Sequence, residues 1–194
     1  MVGWDVRAHF IEVTFIRNTP EARAEFRRLL IDSPAIHFLG PEEPARNNAT
    51  GVSEAHGISL FPEYTVYADT ASTASFILLN GSGQHIRCGE HYFITYEGED
   101  GQWYELPIHT VALDIAYSVA PGASRRFVAR LYPDVNDNKP GSYRFFYEVS
   151  LESREKIRMM AEFRLTENYE NSRWAEKLDI GNDWWKLCGG SKGR

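Results

Sequence analysis

Within the seven residues His85-Ile86-Arg87-Cys88-Gly89-Glu90-His91 the chain places two imidazoles, a thiol and a carboxylate, all ligand types for a transition metal. Side chains alternate faces along a strand, so His85 and His91 share one side while Cys88 points to the other. A regular strand cannot converge them on one ion, and the stretch reads as a strand edge leading into a loop. Asp134-Val135-Asn136-Asp137-Asn138 reproduces the first, third and fifth ligand positions of a calcium loop. Lys139 then stands where that loop needs Gly, and Phe145 where it needs Glu. An Asx-rich turn before Pro140-Gly141 accounts for the segment without an ion, because Asn and Asp side chains bond their own backbone. No metal and no cofactor are expected.

Catalytic constellations fare no better. No Gly-x-Ser-x-Gly elbow occurs, and neither Cys88 nor Cys188 lies in a context that activates a thiol. Glu97, Glu99, Asp100 and Glu105 cluster around a hairpin, where carboxylates are solvated, whereas acid-base work needs one of them buried with a raised pKa. No catalytic residue is assigned. Asn48-Ala49-Thr50 and Asn80-Gly81-Ser82 match the glycosylation acceptor pattern, a short motif of little weight by itself. The aromatic residues are the more open question. Trp103 reads as partly buried on the hairpin, while Trp174, Trp184 and Trp185 either pack a C-terminal extension onto the domain or, with Trp103, form a platform able to stack on a ligand. Packing is the favoured reading, since large aromatics stabilise chiefly by burial.

The elements that would position these residues follow from pattern. Phe10–Ile16 has strand composition. Thr19, Pro20 and Glu21 then form a helix start, with Ala22, Phe26, Leu29 and Leu30 on one stripe until Asp32-Ser33-Pro34. The segment from there to Gly57 is dense in Pro, Gly and Asn and reads as loop. From Ile58 to Leu165 short strand-like runs recur between turn signals. Pro62 suits a bend or an edge position. Gly98-Glu99-Asp100-Gly101 closes a hairpin. Three later runs alternate with period two. They bury Phe127, Ala129 and Leu131, then Tyr143, Phe145, Tyr147 and Val149, then Met159, Ala161, Phe163 and Leu165. Tyr143, just after Pro-Gly, is placed to send its hydroxyl back to the loop backbone as a tyrosine corner does.

The organisation expected is therefore a leader over 1–57 with one short helix and a Pro/Gly-rich loop, a domain over 58–167, and an aromatic extension with a flexible tail over 168–194. About seven short strands in the middle unit predict a mainly β chain built on an immunoglobulin-like antiparallel β-sandwich. A closed barrel is the alternative that periodicity leaves open.

Composition sets the outer limits. The 194 residues carry a net charge of −6, with 43% hydrophobic and 25% charged residues. That is the make-up of an ordinary globular protein with enough chain for a core. Mild acidity argues against nucleic acid or anionic lipid as the main partner, since both need a concentrated basic surface. No stretch approaches the roughly 20 apolar residues that span a bilayer, and the first residues do not read as a signal peptide. Two cysteines provide no disulfide framework.

The run from Ile58 to Glu167 resembles a bacterial immunoglobulin-like domain family of uncharacterised, usually envelope-associated proteins. The resemblance lies in Ile58-Ser59-Leu60-Phe61-Pro62-Glu63-Tyr64, Phe76-Ile77-Leu78-Leu79-Asn80 and Gly89-Glu90-His91-Tyr92. It continues in Trp103-Tyr104-Glu105-Leu106-Pro107, Ala120-Pro121-Gly122-Ala123-Ser124 and Lys139-Pro140-Gly141-Ser142-Tyr143-Arg144. It implies a noncatalytic interaction or scaffolding module at the cell envelope, with a protein or glycan partner. A carbohydrate-binding module using exposed Trp or Tyr is the alternative.

Overall fold

The computed structural model describes residues 3–7, 10–108 and 115–167. Trp174, Trp184, Trp185 and Cys188, on which expectations were placed, lie outside the described residues.

At the N-terminal end, β1 (Gly3–Arg7) pairs antiparallel with β2 (Phe10–Thr14), α1 (Pro20–Leu29) crosses over, and β3 (Ile36–Leu39) returns parallel to β2. The helix starts where its capping residues dictate, with the Ala22 N–H donating to Thr19 Oγ1 at 3.2 Å and Pro20 in the first turn. Phe26 is the part of its apolar stripe that packs, edge-on against Phe15 and Phe38 at 5.9 and 5.4 Å. Leu29 and Leu30 stand exposed beyond it. β3 falls inside the stretch read as loop. Its strand character comes from pairing with β2, which no local pattern of Ile36-His37-Phe38-Leu39 announces.

The rest is a mainly β sandwich. One sheet has the order β11-β7-β5-β4, from β11 (Ser124–Arg130), β7 (Thr73–Asn80), β5 (Ile58–Pro62) and β4 (Glu54–Ala55). The other has the order β10-β8-β12-β13-β6, from β10 (Tyr117–Val119), β8 (Ile86–Glu97), β12 (Gly141–Ser150), β13 (Lys156–Thr166) and β6 (Val66–Ala68). β9 (Trp103–Glu105) adds to β8 at its hairpin end. The strands exceed the expected seven because β4, β6, β9 and β10 are pieces of two or three residues. Pro62 ends β5, after which the chain leaves one sheet and joins the other as β6, parallel to β13. The Tyr67 hydroxyl pins that crossing, accepting from the Ser75 N–H and donating to the Ser75 C=O, both at 2.9 Å.

Between the sheets the alternating runs meet as their parity requires. Phe145, Tyr147, Val149, Met159, Ala161 and Phe163 are all buried, and Phe76 of one sheet stacks on Phe145 of the other with centroids 3.9 Å apart. The Tyr143 hydroxyl donates to the Lys139 C=O at 2.8 Å, which ties the loop ahead of β12 to the strand.

A second buried surface lies on the outward face of the larger sheet. Asn47 N–H donates to the Trp103 C=O, and Glu105 N–H to the Ala45 C=O, each at 2.8 Å, so residues 45–47 pair with the free side of β9. Val52 then pairs with the free side of β13, donating to the Arg158 C=O at 3.1 Å and accepting from the Met160 N–H at 2.8 Å. In a flat sheet these two flanking positions would be five strand spacings apart, roughly 24 Å. From Asn47 to Val52 the backbone reaches about 17 Å at full stretch. The sheet must therefore curl its outward face into a hollow that residues 45–52 close. Phe146 and Thr95, on that face by parity, are 0% and 1% exposed. Phe146 stacks on Phe93 at 4.5 Å. A Cβ on Gly51 would come within 2.7 Å of the Met160 Cβ, so the segment passes there with no room for a side chain.

Candidate functional site

Trp103 sits on β9 and is half-buried at the rim of the hollow. The Arg144 guanidinium lies 3.7 Å from its ring centroid and bonds Glu162 through Nε at 3.0 Å. One face of the indole is thus taken by a cation held between ring and carboxylate. The other three tryptophans considered for a platform, Trp174, Trp184 and Trp185, lie outside the described residues.

His85 to His91 do not form the strand edge expected of them. Ile86 to Glu97 is one long strand with a neighbour on each side, β10 and β12 at its start and β9 and β12 at its end. A bulge against β12 between Tyr147 and Val149 absorbs the irregular Gly89 region. Ile86 and Cys88 point inward and are buried, His91 is exposed, and His85 Nδ1 lies 3.2 Å from Ser118 Oγ. Among the described residues no group of three or more His, Cys, Asp or Glu could hold a metal ion. Burial pushes the Cys88 thiol up, the opposite of what a nucleophile needs.

Asp134 to Asn136 lie in a short turn of helix, α2 (Pro133–Asn136), flanked by Tyr132 and Asp137 in left-handed conformations at φ 49° each. The Asn136 amide nitrogen donates to the Pro107 and Leu131 carbonyls at 2.8 and 3.0 Å, so the asparagines brace neighbouring loops. On the hairpin, Glu97, Glu99 and Asp100 are exposed. The Tyr104 hydroxyl, donating to Asp100 Oδ2 at 2.7 Å, together with the Gln102 N–H, holds the Asp100 carboxyl below its usual range. A general acid requires a raised value. Glu105 accepts from the Asn47 side chain at 3.0 Å. Asn80, first residue of a glycosylation pattern, is fully buried, donating to the Gln84 and Val119 carbonyls at 2.9 Å each. Asn48 accepts from the Trp103 N–H through its side chain at 3.2 Å.

The feature that sequence reasoning missed is an edge. β11 closes the smaller sheet on one side, and among the described residues no strand pairs with its outer side. Asn80 N–H donates to the Ala123 C=O and Leu131 N–H to the Ser72 C=O, both at 2.9 Å. By antiparallel alternation the odd-numbered backbone groups of β11 therefore face β7, and those of Ser124, Arg126, Val128 and Arg130 face away. Of these, the Arg130 N–H donates to the Tyr92 hydroxyl at 3.0 Å. The side chains flanking this edge are basic or apolar. Arg126 pairs with Glu63 at 2.7 Å, Arg130 is exposed, and Val128 is 50% exposed. Arg125 turns inward and stacks 3.4 Å from the Tyr117 ring centroid, while the Tyr117 hydroxyl donates to Glu90. Two arginines in Ser124-Arg125-Arg126 were visible as sequence, but which strand ends a sheet is a tertiary fact.

Among the described residues no helix is long and apolar enough to cross a membrane. Comparison with curated proteins found no match. Among solved structures, the chain is similar to the CsuC–CsuE chaperone–tip adhesion subunit pre-assembly complex from the archaic chaperone-usher Csu pili of Acinetobacter baumannii. Identity is 12%, with 64% of this chain and 66% of that chain covered and a TM-score of 0.41. It is also similar to the archaellum periplasmic stator protein FlaG from Sulfolobus acidocaldarius, at 14% identity over 53% of this chain and 98% of that chain, with a TM-score of 0.31. Likenesses this distant do not bear on function. Residues 1–41 match a family described as a Pro-like C-terminal domain. Residues 54–177, more than half of the chain and nearly all of the two-sheet unit, match the family described as bacterial Ig-like domain, and the chain belongs to that family.

Proposed function

We propose that the protein is a noncatalytic interaction module of the bacterial cell envelope, and that it engages a protein partner by adding an extended, acidic segment of that partner to the outer edge of β11. The observation that carries this reading is the run of outward backbone N–H and C=O groups on Ser124, Arg126 and Val128, a ready template for strand addition. Charge selects the partner. Arg126 is already paired with Glu63 and bonded to Ser75 on the β7 side, so the exposed Arg130 is the charge this edge presents. A second copy of β11 would bring like charge to it, which is destabilising across a ladder. A strand carrying Asp or Glu opposite Arg130 would meet it favourably. Family membership supports a module of this kind, and the envelope setting rests on the resemblance.

Val128→Pro tests it, because the Val128 N–H faces away from β7 and proline is tolerated at an outward edge position. Peptides selected on the wild-type protein from a library of extended segments should be enriched in acidic residues. They should lose about tenfold or more in affinity for the variant, the scale of one or two lost hydrogen bonds, while its thermal unfolding stays cooperative. Selected peptides that bind Val128→Pro as tightly as the parent would refute the edge as the docking surface.

A further inference from the structure

Away from the β11 edge, and independently of it, we infer that the unroofed end of the larger sheet's outward face binds a sugar acid, its carboxylate seated over Ser150 between Arg87 and Lys156. The roof of residues 45–52 stops at Val52, which bonds β13 at Arg158 and Met160. Past it the curled face runs on to the start of β8, the end of β12 and the start of β13. It forms there an open cavity of about 1020 Å³, at the upper end of small-molecule sites.

Strand register builds the floor of this cavity. Ser118 on β10 lies opposite Arg87 on β8, Arg87 opposite Ser150 on β12, and Ser150 opposite Lys156 on β13. Ile86 and Cys88 are buried between the sheets, so Arg87 and its row point outward. Arg87 and Lys156 each stand one strand spacing, about 5 Å, from Ser150. A short serine between two long cationic side chains leaves a notch with a hydroxyl at its base. Arg87 and Lys156 are exposed and Ser150 is half-buried, so all three are open to an entering ligand.

The charges define the occupant. In a chain of net charge −6 the cavity is lined by three cations, Arg87, Arg154 and Lys156, against two carboxylates, Glu148 and Glu152. Lys156 pairs with Glu148 at 2.7 Å, and Glu152 accepts from the His85 N–H at 3.3 Å. Arg87 and Arg154 have no carboxylate partner among the described residues. An excess of one positive charge matches a single carboxylate, while Glu148 and Glu152 oppose a phosphate dianion. The planar Arg87 guanidinium can meet a carboxylate with two parallel N–H donors, and the Ser150 hydroxyl adds a third. The cavity is far larger than that one group. No Phe, Tyr or Trp lines the remainder, whereas Ser118, His85, His91 and Glu152 do. Hydroxyl, imidazole and carboxylate groups suit the hydroxyls of a sugar ring, which both donate and accept.

The test is a titration of the full chain with D-galacturonate, followed by the backbone amide resonances of Arg87 and Ser150. D-galactose and inorganic phosphate serve as probes of the sugar body and of the charge alone. Galacturonate should move both resonances saturably and bind at least tenfold more tightly than either probe. Arg87→Gln, at an exposed position, should weaken it about tenfold or more. Ser150→Val fills the notch with a residue suited to strands and keeps both cations, and should weaken it as much. Arg164→Gln, farther along the outward face of β13, should leave the affinity unchanged, and all three variants should unfold cooperatively. No saturable shift with galacturonate, phosphate or galactose binding as tightly as galacturonate, or an affinity that survives Ser150→Val would overturn the assignment.

Discussion

Phe146→Ala should cost about 3–5 kcal/mol in urea unfolding, although its neighbours in sequence mark its face of β12 as the outward one. Phe146 is fully buried, stacked on Phe93 and roofed by residues 45–52. Truncation leaves a cavity that neither the curled sheet nor the bonded roof can close. We propose on the same ground that the folding unit of the sandwich takes in the chain from about residue 44. A fragment of residues 58–167 would lose the roof and expose Phe146 and Phe93, and should unfold at markedly lower urea than a fragment of residues 44–167. Equal midpoints for the two fragments, together with a Phe146→Ala loss under about 0.5 kcal/mol, the range of surface sites, would mean that the hollow is open in solution.

Phe145→Ala, one residue away and on the inward face, should cost a similar 3–5 kcal/mol for a different reason. Its ring stacks on Phe76 of the opposite sheet and tilts against Tyr92, so the lost volume lies in the middle of the sandwich. Glu148→Ala on the same strand removes only an exposed pairing with Lys156 at 2.7 Å and should stay within about 0.5 kcal/mol. Phe145 and Phe146 share a strand but not a core. Their double variant should therefore be close to additive unless the backbone of β12 itself shifts. Urea midpoints for the four proteins settle the register, since a slip of one residue would make Glu148→Ala severe.

The parts of the fold legible in the sequence were those governed by local chemistry. Thr19 and Pro20 fixed a helix start, the Gly98 to Gly101 turn a hairpin, and period two the inward faces of β11, β12 and β13. What escaped depends on pairing between distant segments. Ile36 to Leu39 becomes a strand only beside β2, and Ala45 to Val52 becomes a roof only because two sheet edges curl within its reach. Phe146 shows the limit plainly. Alternation assigns it a face, but whether that face meets water depends on chain nearly a hundred residues upstream. The candidate sites were hidden for the same reason. Arg125, Arg126 and Arg130 are plain in the sequence, yet an open edge is a property of sheet order. Asn136 and Asn138 were legible as turn residues, but the Pro107 and Leu131 carbonyls that they brace reach them only in the fold.

The central claim, that β11 offers its outer edge to a partner strand, is tested most directly by amide hydrogen exchange resolved along Ser124 to Arg130. In the free protein the amides of Arg125, Phe127 and Ala129, which face β7, should exchange slowly, and those of Arg126 and Val128 quickly. On saturation with an acidic peptide selected for binding, Arg126 and Val128 should become protected while the alternating pattern disappears. Protection of Arg126 and Val128 already present in the free protein, or a bound state that leaves them exchanging quickly while other amides slow, would contradict the account.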